Sequence, residues 1–339
     1  MALIRYLIDI PGESADEINR LVLSGKYRSV QDFLLAAASN QLHLEHQDLL
    51  EVVVGGSSPK STQTAGGEDS RGGKIEYQLL APDFSKVQTI APPDPIEVAS
   101  ELYGLWNKFF PVKITVRVLA NMIKGDGEYA PLDSVQERAA EVARRLGKEI
   151  VRKEKDLGRK RGDMIATALP WKRDEFKAKS RFKTHFVGYL SKNKIAGAPG
   201  ALRMVNIVKK DGASVIGLTD AGLSFAELTN PVIDKDDYSS ALSQPERRFL
   251  TTHLKVELSK EANLMKSILR WIREGAKNPT AIHLKLQQNT PKLNETELVT
   301  LRSGVLSRMA ELNLMTRTRQ GLSVSYDLTE EGEEFLKGD

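Results

Sequence analysis

Between Arg138 and Lys194 the sequence holds 18 lysines and arginines against 7 aspartates and glutamates. Cations at that density suit one chemistry above others, the neutralisation of nucleic-acid phosphates with release of their counterions. The candidate phosphate contacts are Arg144, Arg145, Lys148, Arg152, Lys155, Arg159, Lys160 and Arg161, followed by Lys179, Arg181 and Lys183. Residues for covalent or metal chemistry are missing or badly spaced. With no cysteine, thiolate nucleophiles, disulfides, iron–sulfur clusters and cysteine-bearing zinc fingers are excluded together. The five histidines, at 43, 46, 185, 253 and 283, form no His-Glu-x-x-His pair, and no Gly-x-Ser-x-Gly elbow is present. Pro93-Asp94 and Glu175-Phe176-Lys177 are the parts of one nuclease pattern, but they lie far apart and the second has helical, not strand, periodicity. The stretch from Gly67 to Lys74 is no phosphate loop, because Glu68 stands where a glycine is required and Ile75 follows the lysine. The expectation is a binding protein without catalytic activity, metal or cofactor.

The elements that must carry these cations sit in a chain of 339 residues, long enough for two or three cores. Its net charge of +4 hides a strong segregation. Residues 1–50 carry 4 basic and 7 acidic side chains, 51–95 carry 4 and 6, 96–230 carry 25 and 16, and 231–339 carry 16 of each. Hydrophobic residues make up 40% and aromatic ones 6%, an ordinary globular composition with little material for an aromatic-lined pocket. Apolar runs are too short to cross a bilayer or to form a signal peptide, so no membrane partner and a cytoplasmic location are expected.

In the first fifty residues, Ile4, Tyr6, Ile8 and Ile10 alternate with Arg5, Leu7 and Asp9, the period of a strand. Pro11 and Gly12 end it. Ser14 and Glu17 then form a capping box ahead of Ile18, Leu21 and Val22, and Ser29 caps a second helix carrying Val30, Phe33, Leu34, Ala37 and Leu42. A lone strand with two helices needs a second strand to pair with. This pattern, with Ser24-Gly25-Lys26-Tyr27-Arg28-Ser29-Val30 as the interhelical turn, resembles the ribbon-helix-helix family over residues 3–46. The resemblance implies a homodimer formed through the N-terminal strand, base contacts from Arg5, Leu7 and Asp9, and a phosphate clamp near Arg28 and Ser29. Asp9 and the module's excess of acids depart from the family's pattern and favour dimerisation over base reading.

From Gly55 to Gly73 the chain is nearly all Gly, Ser, Thr and small polar residues, the composition of a flexible tether spanning roughly 25 Å. Prolines at 82, 92, 93 and 95 mark an extended lead-in. Helices are expected on either side of Pro111, and a long one from Asp133 to Lys160 with Val135, Ala139, Val142, Leu146 and Ile150 inward. Phe182, Phe186 and Tyr189 lie among the second group of cations; their spacing fits the core face of a helix better than a platform for stacked bases. The segment ends with two strands about Lys209-Lys-Asp-Gly212 and a helix starting at Thr219.

The same ending recurs near the C-terminus. Helical stretches over Asn263–Glu274, Pro279–Gln288 and Asn294–Leu312 precede a polar turn at Thr318-Arg-Gln-Gly321, an alternating strand over Leu322–Leu328 and a last helix capped by Thr329. Three helices, strand, wing, strand and helix resemble the winged-helix family over residues 262–337, and more weakly over 96–230. The resemblance implies base contacts by Thr300, Arg302, Ser303 and Arg308 on the third helix, and backbone contacts by Arg317, Arg319 and Gln320 on the wing.

The expected protein is therefore mainly α with small β elements: a ribbon-helix-helix module over 1–50, a linker and lead-in over 51–95, a basic winged-helix-like domain over 96–230 and a C-terminal winged-helix domain over 231–339. Its expected partner is double-stranded DNA, bound by a transcription regulator or a DNA-recognition subunit. The alternative is a scaffold for protein partners in a mobile-element or host-defence assembly, which the neutral charge of 231–339 would suit.

Overall fold

The computed structural model describes residues 12–23, 29–31, 79–95, 98, 106–123, 127–159, 164–172, 174–320 and 323–337. They belong to two units, residues 1–68 and residues 69–339. In the first, α1 spans Gly12–Leu23 and buries Ile18, as the amphipathic pattern requires. Val30 and Gln31 are helical directly after Ser29. The expected strand over 3–10, with Arg5, and the turn residue Arg28 lie outside the described residues, as does the expected tether over 55–73.

The second unit is built around α2, Phe110–Met122. Its residues from Phe110 to Ala120 are all buried, so it forms the centre rather than a face of the core. Pro111 opens this helix instead of breaking it, because a first-turn residue needs no intrahelical N–H bond. A two-residue strand, β1 (Ala130–Pro131), leads into α3, Leu132–Asp156. All five expected inward residues of α3 are buried. The helix stops four residues short of the expected end, and Gly158 reverses the chain at φ +67°.

α4 (Glu175–Phe182) widens into one π-helical turn over Lys183–Val187, and Phe182 and Phe186 pack in the core with ring centroids 5.5 Å apart. Tyr189 leaves that face and begins a small hairpin, β2 (Tyr189–Ser191) with β3 (Lys194–Ala196). A four-residue helix, α5 (Ala198–Ala201), follows. β4 (Val205–Lys210) and β5 (Ala213–Leu218) then pair through Asp211-Gly212, both at positive φ, the requirement of a type I′ turn. β1 adds to β5, giving a three-stranded antiparallel sheet in the order β1-β5-β4.

α6 (Asp220–Glu227) and α7 (Pro231–Lys235) lead to α8, Gln244–Glu257. The C-terminal segment has the expected element order: α9 (Ser259–Arg273), α10 (Pro279–Asn289), α11 (Glu295–Glu311), β6 (Met315–Gln320), β7 (Ser323–Leu328) and α12 (Glu330–Lys337). The described chain is thus mainly helical with small sheets.

The strand–turn–strand–helix endings share one geometry at a constant offset of 110 residues, β4-β5-α6 against β6-β7-α12. Arg203 and Asn313 both take positive φ before the first strand. Thr219 and Thr329 both accept a hydrogen bond from the glycine three residues on and donate to the carbonyl of Arg203 or Asn313. Only glycine fits at 222 and 332, since an added Cβ would lie 2.0 Å from the carbonyl oxygen of Met204 or Leu314.

One apolar core runs from Leu80 to Phe335 within the unit of residues 69–339. Buried charges fasten it. Lys113 on α2 donates to the carbonyls of Phe225 and Leu228 and pairs with Glu246 at 3.0 Å. Arg117, one turn on, donates to the carbonyls of Leu80, Ala226 and Leu228 and pairs with Asp234. Together they satisfy two open carbonyls in the last turn of α6, those of Phe225 and Ala226, and that of its C-cap Leu228, which is not a glycine. Burial pulls the Lys113 ammonium down to about 8, against the attraction of Glu246.

Candidate nucleic-acid interface

Two neighbours in sequence, Arg144 and Arg145, point about 100° apart on α3. Arg144 turns inward, donates to the carbonyls of Pro170 and Lys172, and pairs with Glu175 at 2.8 Å. Expected as a phosphate contact, it is instead a pin holding the chain after α3 and the start of α4. Two further expected phosphate contacts lie in ion pairs: Lys179 bridges Glu141 and Glu175, and Lys183 pairs with Glu137. Lys179 holds the Glu175 carboxyl below its ordinary range. Three acids, Glu137, Glu141 and Glu175, are thus set opposite cations across the α3–α4 contact.

A solvent-facing stripe remains. Arg145, Lys148, Arg152 and Lys155 follow one another at spacings of three and four along α3, all exposed. Arg145 pairs with Glu141 at 3.0 Å, while Lys148, Arg152 and Lys155 make no ion pair among the described residues. Arg181 is exposed on α4. Lys160 and Arg161 lie outside the described residues, and Ser29, from the N-terminal clamp, is exposed.

On α11, Asn294 and Glu297 complete a capping box at the N-terminus. Thr296 within the box and Val299, Thr300 and Ser303 beyond it form the outer stripe. Arg308, expected to read bases, is wholly buried: it donates to Glu261 through Nε and Nη2 and to the carbonyl of Trp106 through Nη1. This position lies on the inner face of α11, where a guanidinium can persist only with a carboxylate partner. Arg302 is half-buried and donates to the carbonyl of Pro279 at 3.3 Å. Arg317, Arg319 and Gln320 are exposed on β6.

Four of the expected residues meet in one open cleft of about 660 Å³: Arg159 from beyond α3, Arg302 and Ser303 from α11, and Arg317 from β6. Lys108, just before α2, adds a cation that sequence patterning did not reveal, because it precedes the periodic residues. Arg159 pairs with the buried Glu154 at 3.0 Å and donates to the carbonyl of Ser239. Among the described residues one acid lines the cleft, Glu311, which accepts from the amides of Phe109 and Phe110 at 2.5 and 3.2 Å. Burial pushes its carboxyl up, against Lys108 and those amides. Tyr326 closes the floor; burial pushes its phenol up, against Arg317 and Arg302 beside it.

No protein-family model, no curated protein and no solved structure matches this chain. Among the described residues, no helix is long and apolar enough to cross a membrane.

Proposed function

We propose that this protein binds double-stranded DNA without catalysing a reaction, as a transcription regulator or the DNA-recognition subunit of a larger assembly. The observation that carries this reading is the stripe of Lys148, Arg152 and Lys155 on α3. It spans about 10 Å, the axial reach of about three phosphates of one strand. In the same reading α9 to α12 act as a winged helix, with Thr300 and Ser303 on the helix that meets base edges and Arg317 and Arg319 on the wing against the backbone. The middle segment has only the short α5 at the corresponding place, so it supplies phosphate contacts rather than sequence readout. The N-terminal module supplies a homodimer.

A mobility-shift titration against duplex DNA at several salt concentrations tests this. Retardation that weakens steeply with salt is expected, and no retardation at roughly micromolar protein in low salt overturns it. One observation favours the protein-scaffold alternative: Leu284 on α10 and Val299 on α11 are 52% and 40% exposed, apolar groups near the face that would read bases.

A further inference from the structure

The cleft between α11, β6 and the start of α2 is too small for a duplex, yet its chemistry is that of an anion site. We propose that it binds one phosphate-bearing nucleotide unit, either a free nucleotide or the end of a single strand. This goes beyond duplex binding by α3 and does not depend on it.

Its volume, about 660 Å³, lies within the usual range for pockets holding small ligands. Lys108, Arg302 and Arg317 converge on it from three separate elements. Among the described residues Glu311 is the one acid in its lining, held by two backbone amides, so the cations outnumber the acid. Arg302 gives one N–H to the Pro279 carbonyl and keeps further donors for a phosphate. Ser303 and Ser307 add hydroxyls on the α11 wall. Half-buried Val324, backed by the almost wholly buried Leu306 and Met315, gives the remaining wall a narrow apolar surface, against which a sugar or a base edge can lie. A cluster of cations with one apolar wall matches a ligand that is anionic at one end and apolar at the other. An inorganic anion would leave the apolar wall unused, and an apolar metabolite would make no use of the cations.

The test uses the full chain with three probes in calorimetric titration: ATP, adenosine and a short 5′-phosphorylated oligothymidylate. ATP, the oligothymidylate or both are expected to bind, and adenosine at least about tenfold more weakly, since it cannot make charge-assisted bonds through phosphates. Binding of ATP alone identifies a free nucleotide as the source, and binding of the oligothymidylate alone identifies a strand end. Lys108→Gln and Arg317→Gln should each weaken binding about tenfold. Ser303→Asp, at an exposed position that leaves the core untouched, should abolish it by placing an anion at the rim. Absence of binding by both phosphate-bearing probes at about 1 mM, or binding unchanged in Ser303→Asp and in the double variant Lys108→Gln/Arg317→Gln, overturns the proposal. Neutralising Lys148, Arg152 and Lys155 should leave nucleotide binding intact while lowering duplex binding, so the two readings fail separately.

Discussion

Arg308 shows how one side chain's role depends on which way it faces. Its guanidinium is fully buried against Glu261, a carboxylate that is itself only 6% exposed. Replacing Arg308 by Met should destabilise the fold by about 3–5 kcal/mol, because Glu261 would be left charged and uncompensated. The double variant Arg308→Met/Glu261→Leu should recover most of that loss. Urea unfolding of the three proteins measures it, and a double variant as unstable as the single one would show that the pair does more than compensate charge. His253 makes a second residue-scale case. Its Nε2 lies 2.7 Å from the Leu202 carbonyl, and burial holds its pKa below the ordinary histidine value, with Arg203 in the same direction and the Leu202 carbonyl and Glu257 opposing. The unfolded chain therefore takes up a proton first as pH falls below about 6.5, so stability is present at neutral pH and declines from there down through the folded pKa. His185, lowered by burial and then by Arg181, acts in the same window. Melting temperatures between pH 7.5 and 5 should fall, and His253→Gln should flatten the decline.

At the scale of elements, the Thr-x-x-Gly ending is used twice for one mechanical reason. The helix must start directly after a strand, and its first turn must pass against the carbonyl that precedes the opposite strand. Thr219 and Thr329 each cap by accepting from a backbone amide, so replacing either with Ala should cost about 1 kcal/mol. Gly222→Ala and Gly332→Ala should cost more, roughly 1–3 kcal/mol, since the added Cβ would meet a backbone carbonyl that cannot swing aside. Thermal unfolding of the four variants checks the order. Equal losses at threonine and glycine would mean that the backbones relax apart. The boundaries of α10 and α11 were legible because each starts behind a polar cap, Asn278 and Asn294, whereas α9, which has no side-chain cap, starts four residues before the expected Asn263. β1 was not: two residues, Ala130 and Pro131, carry no alternation, and they become a strand only because β5 offers an open edge.

At the scale of the whole molecule, what matters is where the charge acts. Changing Lys148, Arg152 and Lys155 together to Gln should weaken binding to all duplexes alike and reduce the salt slope by about 0.9 for each phosphate no longer neutralised. Changing Thr300 and Ser303 together to Ala should instead reduce discrimination by about 1–3 kcal/mol on a preferred site, with little effect on random duplex. Gel retardation across a salt series separates these outcomes, and loss of discrimination in the α3 variant would reverse the assigned roles. The sequence by itself determined the helical character of the chain, the inward stripe of α3, the paired strand–turn–strand–helix endings and the position of the basic region. Those features depend on residues close together along the chain, where periodicity, capping and turn chemistry act. Tertiary structure alone decided which cations remain open to a partner. Arg144, Lys179, Lys183 and Arg308 are occupied by carboxylates or carbonyls from elsewhere in the fold, whereas Lys148, Arg152 and Lys155 have no such partner among the described residues. Tertiary structure likewise brought Lys108 to Arg302 and Arg317 across about two hundred residues of chain. A charge's availability is set by what lies within a few ångströms of it, and a count along the chain carries no information about that distance.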